Sequence, residues 1–233
     1  MDIRLTASPG SGGKDAGNPT LAAETLRRLR EDILSCRFRP GQRLRLEELK
    51  GIYGAGFSPL REALMRLTSD RLVIAEGRRG FRVSPVSADD LLDVTRTRQQ
   101  IEAIALRDAM AAGDDEWEAG MISALHRLRR ARRFNPETGA VEADWTRKHR
   151  DFHYSLIAAA RSRWIKHFWA LTFDQSDRYR RLAVSLSSDK RDDDAEHQQL
   201  MDAVLSRNVE KACELSRNHI QRTADIVLAS LSD

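Results

Sequence analysis

Three consecutive residues, Gly54-Ala55-Gly56, constrain this chain most: they separate two short helical patterns and force a sharp reversal between them. Glycine enters tight turns without the Cβ clash that other residues meet. Ahead of the turn, Leu46, Leu49 and Tyr53 share one side of a short predicted helix. Behind it, Ser58 is expected to cap a second helix and Pro59 to take its first position, where a missing N–H leaves nothing unpaired. Stepping about 100° per residue, Leu60, Ala63, Leu64 and Leu67 gather on one face, whereas Ser58, Arg61, Glu62, Met65, Arg66 and Ser69 gather on the other.

A preceding helix is signalled by Asn18-Pro19-Thr20, with Ala22, Leu26, Leu29 and Ile33 at helical spacing, and Pro40-Gly41 ends that segment. Downstream, residues 72–76 and 81–83 read as two strands around Gly77-Arg78-Arg79-Gly80, a turn suited to a tight hairpin. Helix, helix, turn, helix and basic hairpin make residues 20–86 a winged helix-turn-helix. In such a unit the second helix of the pair enters the major groove of double-stranded DNA. Ser58, Pro59, Arg61 and Glu62 are then the residues nearest the bases. Arg61 is expected to fork onto guanine O6 and N7, a contact worth about 1–3 kcal/mol of discrimination. Arg45, Arg66, Arg78, Arg79 and Arg82 are assigned to phosphates, against the plain alternative that they only solvate a small domain.

Charge distribution agrees. The chain carries +4 overall, yet residues 20–86 hold 14 Lys and Arg against 8 Asp and Glu, so the remainder after 86 is mildly acidic. A basic module joined to an acidic one suggests a polyanion reader attached to something with another job. Residues 1–19, with Gly10, Gly12, Gly13 and Gly17, read as a flexible tail without the apolar core of a secretion signal. The longest apolar run, 156–160, is far short of a membrane span, so a cytoplasmic protein is expected. Cys36 and Cys213 are too few for a disulfide framework or a cysteine zinc site, and both read as small buried hydrophobes.

Ser84-Pro85-Val86-Ser87 is the natural linker, and Ser87 with Asp90 forms a capping box that starts a long helix to about Ala112. Further helices are expected near 114–133, 138–160, 162–184, 193–206 and 208–231, with breaks at Asn135-Pro136 and at 185–194. The fold class is therefore mostly α: the winged unit followed by an all-helical bundle over 87–233.

Taken together, Pro40-Gly41, Leu49, Ser58-Pro59-Leu60-Arg61-Glu62-Ala63-Leu64 and the 77–83 wing resemble the GntR family of bacterial transcription regulators. Residues 87–233 resemble the helical effector domain, FCD, of its fatty-acid-regulator branch. Within that branch, 93–112, 149–156 and 174–182 are most similar to the carbon-starvation-induced, glutarate-responsive repressors. The resemblance implies a homodimer on a pseudo-palindromic operator, released by a small carboxylate, such as a dicarboxylate like glutarate. Two departures bear on DNA reading: Glu47 stands where the fatty-acid-responsive member has arginine, and Phe57 where many relatives have arginine.

His149 and His153 lie at i, i+4, about 40° apart on one helix face, a spacing that can share a metal. His197 and His219 fall on the last two helices, the former beside Leu200, Met201 and Val204. The resemblance implies a metal site of the pattern Asp-x3-His, then a histidine after glutamate, then a histidine about 22 positions on. His153, His197 after Glu196, and His219 match it, while His149 replaces the aspartate. Asp151 is about 160° around the helix from His153 and cannot substitute. An all-imidazole set suits a divalent transition metal, with zinc or nickel expected, and leaves its charge open to an anionic effector. Arg98, four residues before Glu102, matches an Arg-x3-Glu pattern of the branch and is assigned to an effector carboxylate, against a solvated i, i+4 ion pair. Ser162 departs from the asparagine common in relatives, and the orientation of Arg178, Tyr179 and Arg180 stays open. A metal-dependent enzyme is the alternative, disfavoured because His149 is followed by Arg150 rather than glutamate and because Gly-x-Ser-x-Gly and phosphate-loop motifs are missing.

Overall fold

The structure, a computed structural model, describes residues 20–184 and 193–231. The predicted tail at 1–19 and residues 185–192 of the predicted break lie outside the described residues. Helix α1 (Leu21–Leu34) starts where the Thr20 hydroxyl accepts the Ala23 N–H at 3.3 Å. It buries Thr25, Leu29, Ile33 and Leu34, whereas Ala22 and Leu26 are only half-buried. Cys36, expected to be buried, is half-buried instead, because the chain reverses there with φ of 60°.

Strand β1 (Arg43–Leu44) and helix α2 (Leu46–Tyr53) lead to Gly54, whose φ of 63° closes α2 with an N–H to the Lys50 carbonyl. Helix α3 (Phe57–Ser69) begins one residue before the expected cap. Gly56, with extended φ and ψ of −68° and 170°, is the N-cap, and Ser58 lies inside the first turn. Pro59 is therefore third rather than first, still within the turn whose N–H groups have no intrahelical acceptor. The facial split of α3 holds: Leu60, Ala63, Leu64 and Leu67 are buried and the polar set is exposed.

Strands β2 (Val73–Ala75) and β3 (Phe81–Val83) pair antiparallel with Val73 opposite Val83, and β1 joins them in the order β1-β3-β2. Only two residues long, β1 carries no periodic signal and was not expected from the sequence. The wing between β2 and β3 is a single 3-10 turn, Gly77–Arg79. Leu29, Ile33, Leu49, Leu60, Leu64, Leu67, Phe81 and Val83 close this unit's core.

The second unit holds α4 (Ala88–Ala112), α5 (Asp115–Arg129), α6 (Ala143–Ile157), α7 (Arg163–Val184), α8 (Asp193–Leu205) and α9 (Val209–Leu231). Helices α5 and α6 are shorter than expected. Asn135 Oδ1 accepts the N–H groups of Glu137 and Thr138, and this turn is closed by an antiparallel bridge from Phe134 to Val141, a strand-like feature in a half expected to have none. The expected capping box is half made: Ser87 Oγ accepts the Asp90 N–H, but Asp90 Oδ2 accepts from the Tyr179 hydroxyl at 2.7 Å.

Helices α4 and α7 run antiparallel. Asp108 meets Arg161 just ahead of α7, Glu102 meets Trp169, Arg98 meets Ser176, and Asp90 meets Tyr179. Around them Trp117, Met121, Leu125, Phe152, Leu156, Trp169, Phe173, Leu200 and Val204 form the larger core. Helix α7 also docks on the first unit through Arg30 to Asp174, Arg181 to Glu31, Gln175 to the Asp70 carbonyl and Arg178 to the Ser84 carbonyl. No helix among the described residues is long and apolar enough to cross a membrane.

Candidate metal centre and nucleic-acid interface

His149 and His153 project from one face of α6, His197 from α8 and His219 from α9, and the four rings converge inside the bundle. One ring nitrogen from each lies within 4.8 Å of the others. The residues are 5%, 1%, 0% and 7% exposed. His149 Nε2 and His153 Nε2 are 3.2 Å apart. Two imidazoles at adjacent positions on one ion, with metal–nitrogen bonds of about 2.0–2.1 Å, would be about 3 Å apart, so the donor set fits a divalent transition metal.

Burial pushes the His149 and His153 imidazoles well below their ordinary value, and the neighbouring rings and arginines add to it. The neutral imidazole favoured in this way is the form that ligates metal. His219 Nδ1 lies 2.9 Å from Glu196 Oε2, and Arg222 holds the other Glu196 oxygen at 2.9 Å. That carboxylate engages the outer nitrogen of His219 and leaves Nε2 for the cluster. In the sequence Glu196 marked only the place of His197; its partner 23 residues on is a product of the α8–α9 packing.

Aromatic rings wall the cluster. Trp145 stacks on His149 at 4.7 Å, and Phe173 lies 5.6 Å from His153. Both walls carry guanidinium groups: Arg98 sits 4.5 Å and Arg150 5.8 Å over Phe173, and Arg180 and Arg133 each 5.0 Å over Trp145. Arg98 donates to Ser176 Oγ at 3.0 Å and stands 3.7 Å from Glu102. Its pairing with Glu102 is not solvated, since the two side chains are 7% and 2% exposed, and α7 lies across them. Burial lowers the Arg98 pKa and raises that of Glu102, each opposed by the other's charge. Of the cluster left open by sequence, Arg178 and Tyr179 turn to the linker and α4, and Arg180 turns toward the histidines' aromatic wall. Asp151 is exposed on the other side of α6, as its spacing requires.

On the first unit, Ser58, Arg61 and Arg66 are exposed along α3 and Pro59 is half-buried. Arg61 and Arg66 make no side-chain hydrogen bond or ion pair among the described residues, so their guanidinium groups stand free above the surface. Arg45 is exposed at the start of α2 with only a loose pair to Glu48 at 3.3 Å. Arg79 is exposed in the wing, and its carbonyl is held by Arg43 at 2.7 Å. Arg82 forks onto Glu76 and donates to the Gly41 carbonyl at 2.6 Å, bracing the base of the wing. The Arg78 side chain lies outside the described residues. Arg43, brought beside the wing by β1, was not anticipated.

Comparison with known proteins gives concordant results. Residues 21–83 match the family described as bacterial regulatory proteins, gntR family, and residues 93–222 match the FCD domain. The chain is 38% identical over 209 residues to the HTH-type transcriptional regulator BphR of Paraburkholderia xenovorans, covering 89% of this chain and 85% of that one. It is 33% identical over 211 residues to the HTH-type transcriptional repressor GlaR of Escherichia coli, covering 88% and 94%. Among solved structures, E. coli McbR/YncC superposes with a TM-score of 0.72 at 20% identity, covering 90% of this chain and 98% of that one, a likeness of fold.

Proposed function

The chain belongs to the GntR family of transcription regulators, with an FCD domain behind its winged helix-turn-helix, and on that premise we propose that it is a repressor released when a small carboxylate binds at a metal held by His149, His153, His197 and His219. The observation that carries this reading is the convergence of four buried imidazoles from three helices in the same chain that presents a free basic helix face. The matching families and relatives are transcription regulators, which sets aside the metal-enzyme alternative.

In this reading residues 20–86 grip operator DNA, with Arg61 on base edges and Arg45, Arg66, Arg78 and Arg79 on phosphates. Arg82 joins them at the base of the wing, where its side chain is 40% exposed while it forks onto Glu76. A divalent ion, zinc or nickel, bound by four neutral imidazoles supplies a positive site with room for a carboxylate ligand. Arg98 takes the same carboxylate from the α4 side. Glu196 orients His219, and Trp145 and Phe173 keep water from the rings.

Two copies act together. Trp164 and Phe168 stack at 6.1 Å on α7 and are 70% and 44% exposed. Ile104, on the antiparallel α4, is 47% exposed. An apolar surface shared by two long helices supports a homodimer that spaces two copies of α3 about one DNA turn apart. The effector releases DNA by favouring dimers with poor spacing, which requires unequal affinity for the two arrangements.

The deciding experiment enriches DNA from a random pool on the full chain, then measures binding of the selected duplex by fluorescence anisotropy with and without zinc and small dicarboxylates. Loss of DNA binding on adding a dicarboxylate to the zinc-loaded chain, with no loss in chelator, is the expected result. DNA binding indifferent to every carboxylate in the presence of zinc or nickel would overturn the reading.

A further inference from the structure

We propose that Arg180 is a second carboxylate anchor of the effector site, and that it makes the site select dicarboxylates over monocarboxylates. The inference rests on the effector reading above and deepens it.

Arg180 is buried on α7, and its Nε and Nη2 both donate to a single oxygen, Asp177 Oδ1, at 2.8 and 2.5 Å. The other oxygen of Asp177 is taken by Arg181 Nε at 2.7 Å. One carboxylate therefore serves two guanidinium groups. Arg181 has a second partner in Glu31, at 3.0 Å; among the described residues Arg180 has none, and its Nη1 is buried without an acceptor. A buried guanidinium N–H with nothing to donate to is costly, and an incoming oxygen would relieve it.

Its location gives that oxygen a source. The Arg180 guanidinium lies 5.0 Å over Trp145, and Trp145 stacks on His149 at 4.7 Å, so Arg180 is one ring away from the histidine cluster. Arg98 occupies the equivalent position over Phe173 on a different wall, with its Nε 3.7 Å from Glu102 Oε2. Guanidinium groups thus stand on both aromatic walls, Arg98 from α4 and Arg180 from α7 beside Arg150 and Arg133, and Arg180 holds a buried N–H without an acceptor.

Charge points the same way. Four neutral imidazoles cancel none of a divalent ion's charge, while Glu102, Asp177 and Glu31 are already matched by Arg98, Arg180 and Arg181. A monoanion would leave the interior positive; a dianion would neutralise it. A short aliphatic chain with a carboxylate at each end satisfies both guanidinium groups and the ion at once.

The test compares glutarate with pentanoate, which has the same number of carbons and one carboxylate fewer, on the zinc-loaded full chain by calorimetry. The wild-type chain is expected to bind glutarate at least about tenfold more tightly, the scale of one hydrogen bond to a charged group. R180M should erase that preference, with zinc content by elemental analysis and pentanoate binding unchanged. R98M should weaken both acids. If R180M does not fold, R180Q reads the same ratio, since its amide can still donate to Asp177 but has lost the charge.

A wild-type chain that binds both acids equally, or an R180M or R180Q chain that keeps the full preference, overturns the assignment of Arg180 and leaves the effector reading standing. A zinc-loaded chain that binds neither acid overturns both.

Discussion

Arg30 Nη2 on α1 lies 2.7 Å from Asp174 Oδ2 on α7, which joins the DNA-reading unit to the helical unit by a charged hydrogen bond with a buried acceptor. The other oxygen of Asp174 receives Arg150 Nε at 2.9 Å, and Arg150 follows His149 directly on α6. One carboxylate therefore connects the helix that carries two of the clustered histidines with the helix that opens the reader.

Asp174→Asn keeps the shape of this junction and removes its charge. The expected cost is about 1–3 kcal/mol of stability, the range for losing hydrogen bonds to a charged group. Zinc content should not change, and DNA affinity should become less sensitive to effector. Thermal melting, elemental analysis and anisotropy read these separately, and full effector sensitivity in a folded Asp174→Asn chain would show that the junction transmits nothing.

Arg61→Ala should weaken binding to the selected duplex by about 1–3 kcal/mol while leaving random DNA nearly unaffected, because a base-reading fork discriminates and a phosphate contact does not. Arg79→Ala in the wing should instead weaken both duplexes alike and flatten the dependence on salt by about one phosphate contact. Equal losses on cognate and random DNA for Arg61→Ala would remove it from base readout.

Metal should stabilise the helical unit. At a free concentration about a thousandfold above its dissociation constant, a ligand that binds only the folded state contributes about 4 kcal/mol. Chelator should therefore lower the melting temperature of the wild-type chain, and His149→Ala and His153→Ala should each reduce both zinc content and the chelator effect. Unchanged zinc in both variants would remove that pair from the ligand set.

The chelated chain should lose stability as the solution is acidified. His149 and His153 are held neutral by burial, with folded pKa values well below the ordinary imidazole value of about 6.5. Unfolding then takes up protons below that value, so the stabilisation is fully present above about pH 6.5 and declines as pH falls toward the lowered folded values. The limiting slope is roughly 1.4 kcal/mol per pH unit for each imidazole. Urea midpoints for the wild-type chain and a His149→Ala, His153→Ala double variant, taken between pH 8 and 5 in chelator, check this; equal slopes in the two chains would contradict it.

Much of this protein is readable along the chain because its signals are local. The glycine turn, the facial split of α3, the wing, the Ser87 cap and the i, i+4 pair His149 and His153 each depend on residues within a few positions of one another, where backbone geometry alone sets the outcome. The joining of His197 and His219 to that pair rests on their places beside apolar stripes of the last two helices and on the family resemblance. Strand β1 escaped because two residues carry no period, and the cap falls at Gly56 rather than Ser58, within the one or two residues by which helix ends vary.

The order of helices, the break between reader and bundle, and the basic face of α3 were determined by sequence alone, since periodicity and turn chemistry act within one or two helical turns. Only the tertiary structure decided that Arg98 and Glu102 are buried, that Arg180 turns toward the aromatic wall of the histidines while Arg178 turns away, and that Asp174 is shared between α1 and α6. These outcomes arise where α7 crosses its neighbours. The partners lie 24 to 144 residues apart, as from Arg150 and Arg30 to Asp174, and no local pattern carries information across that separation.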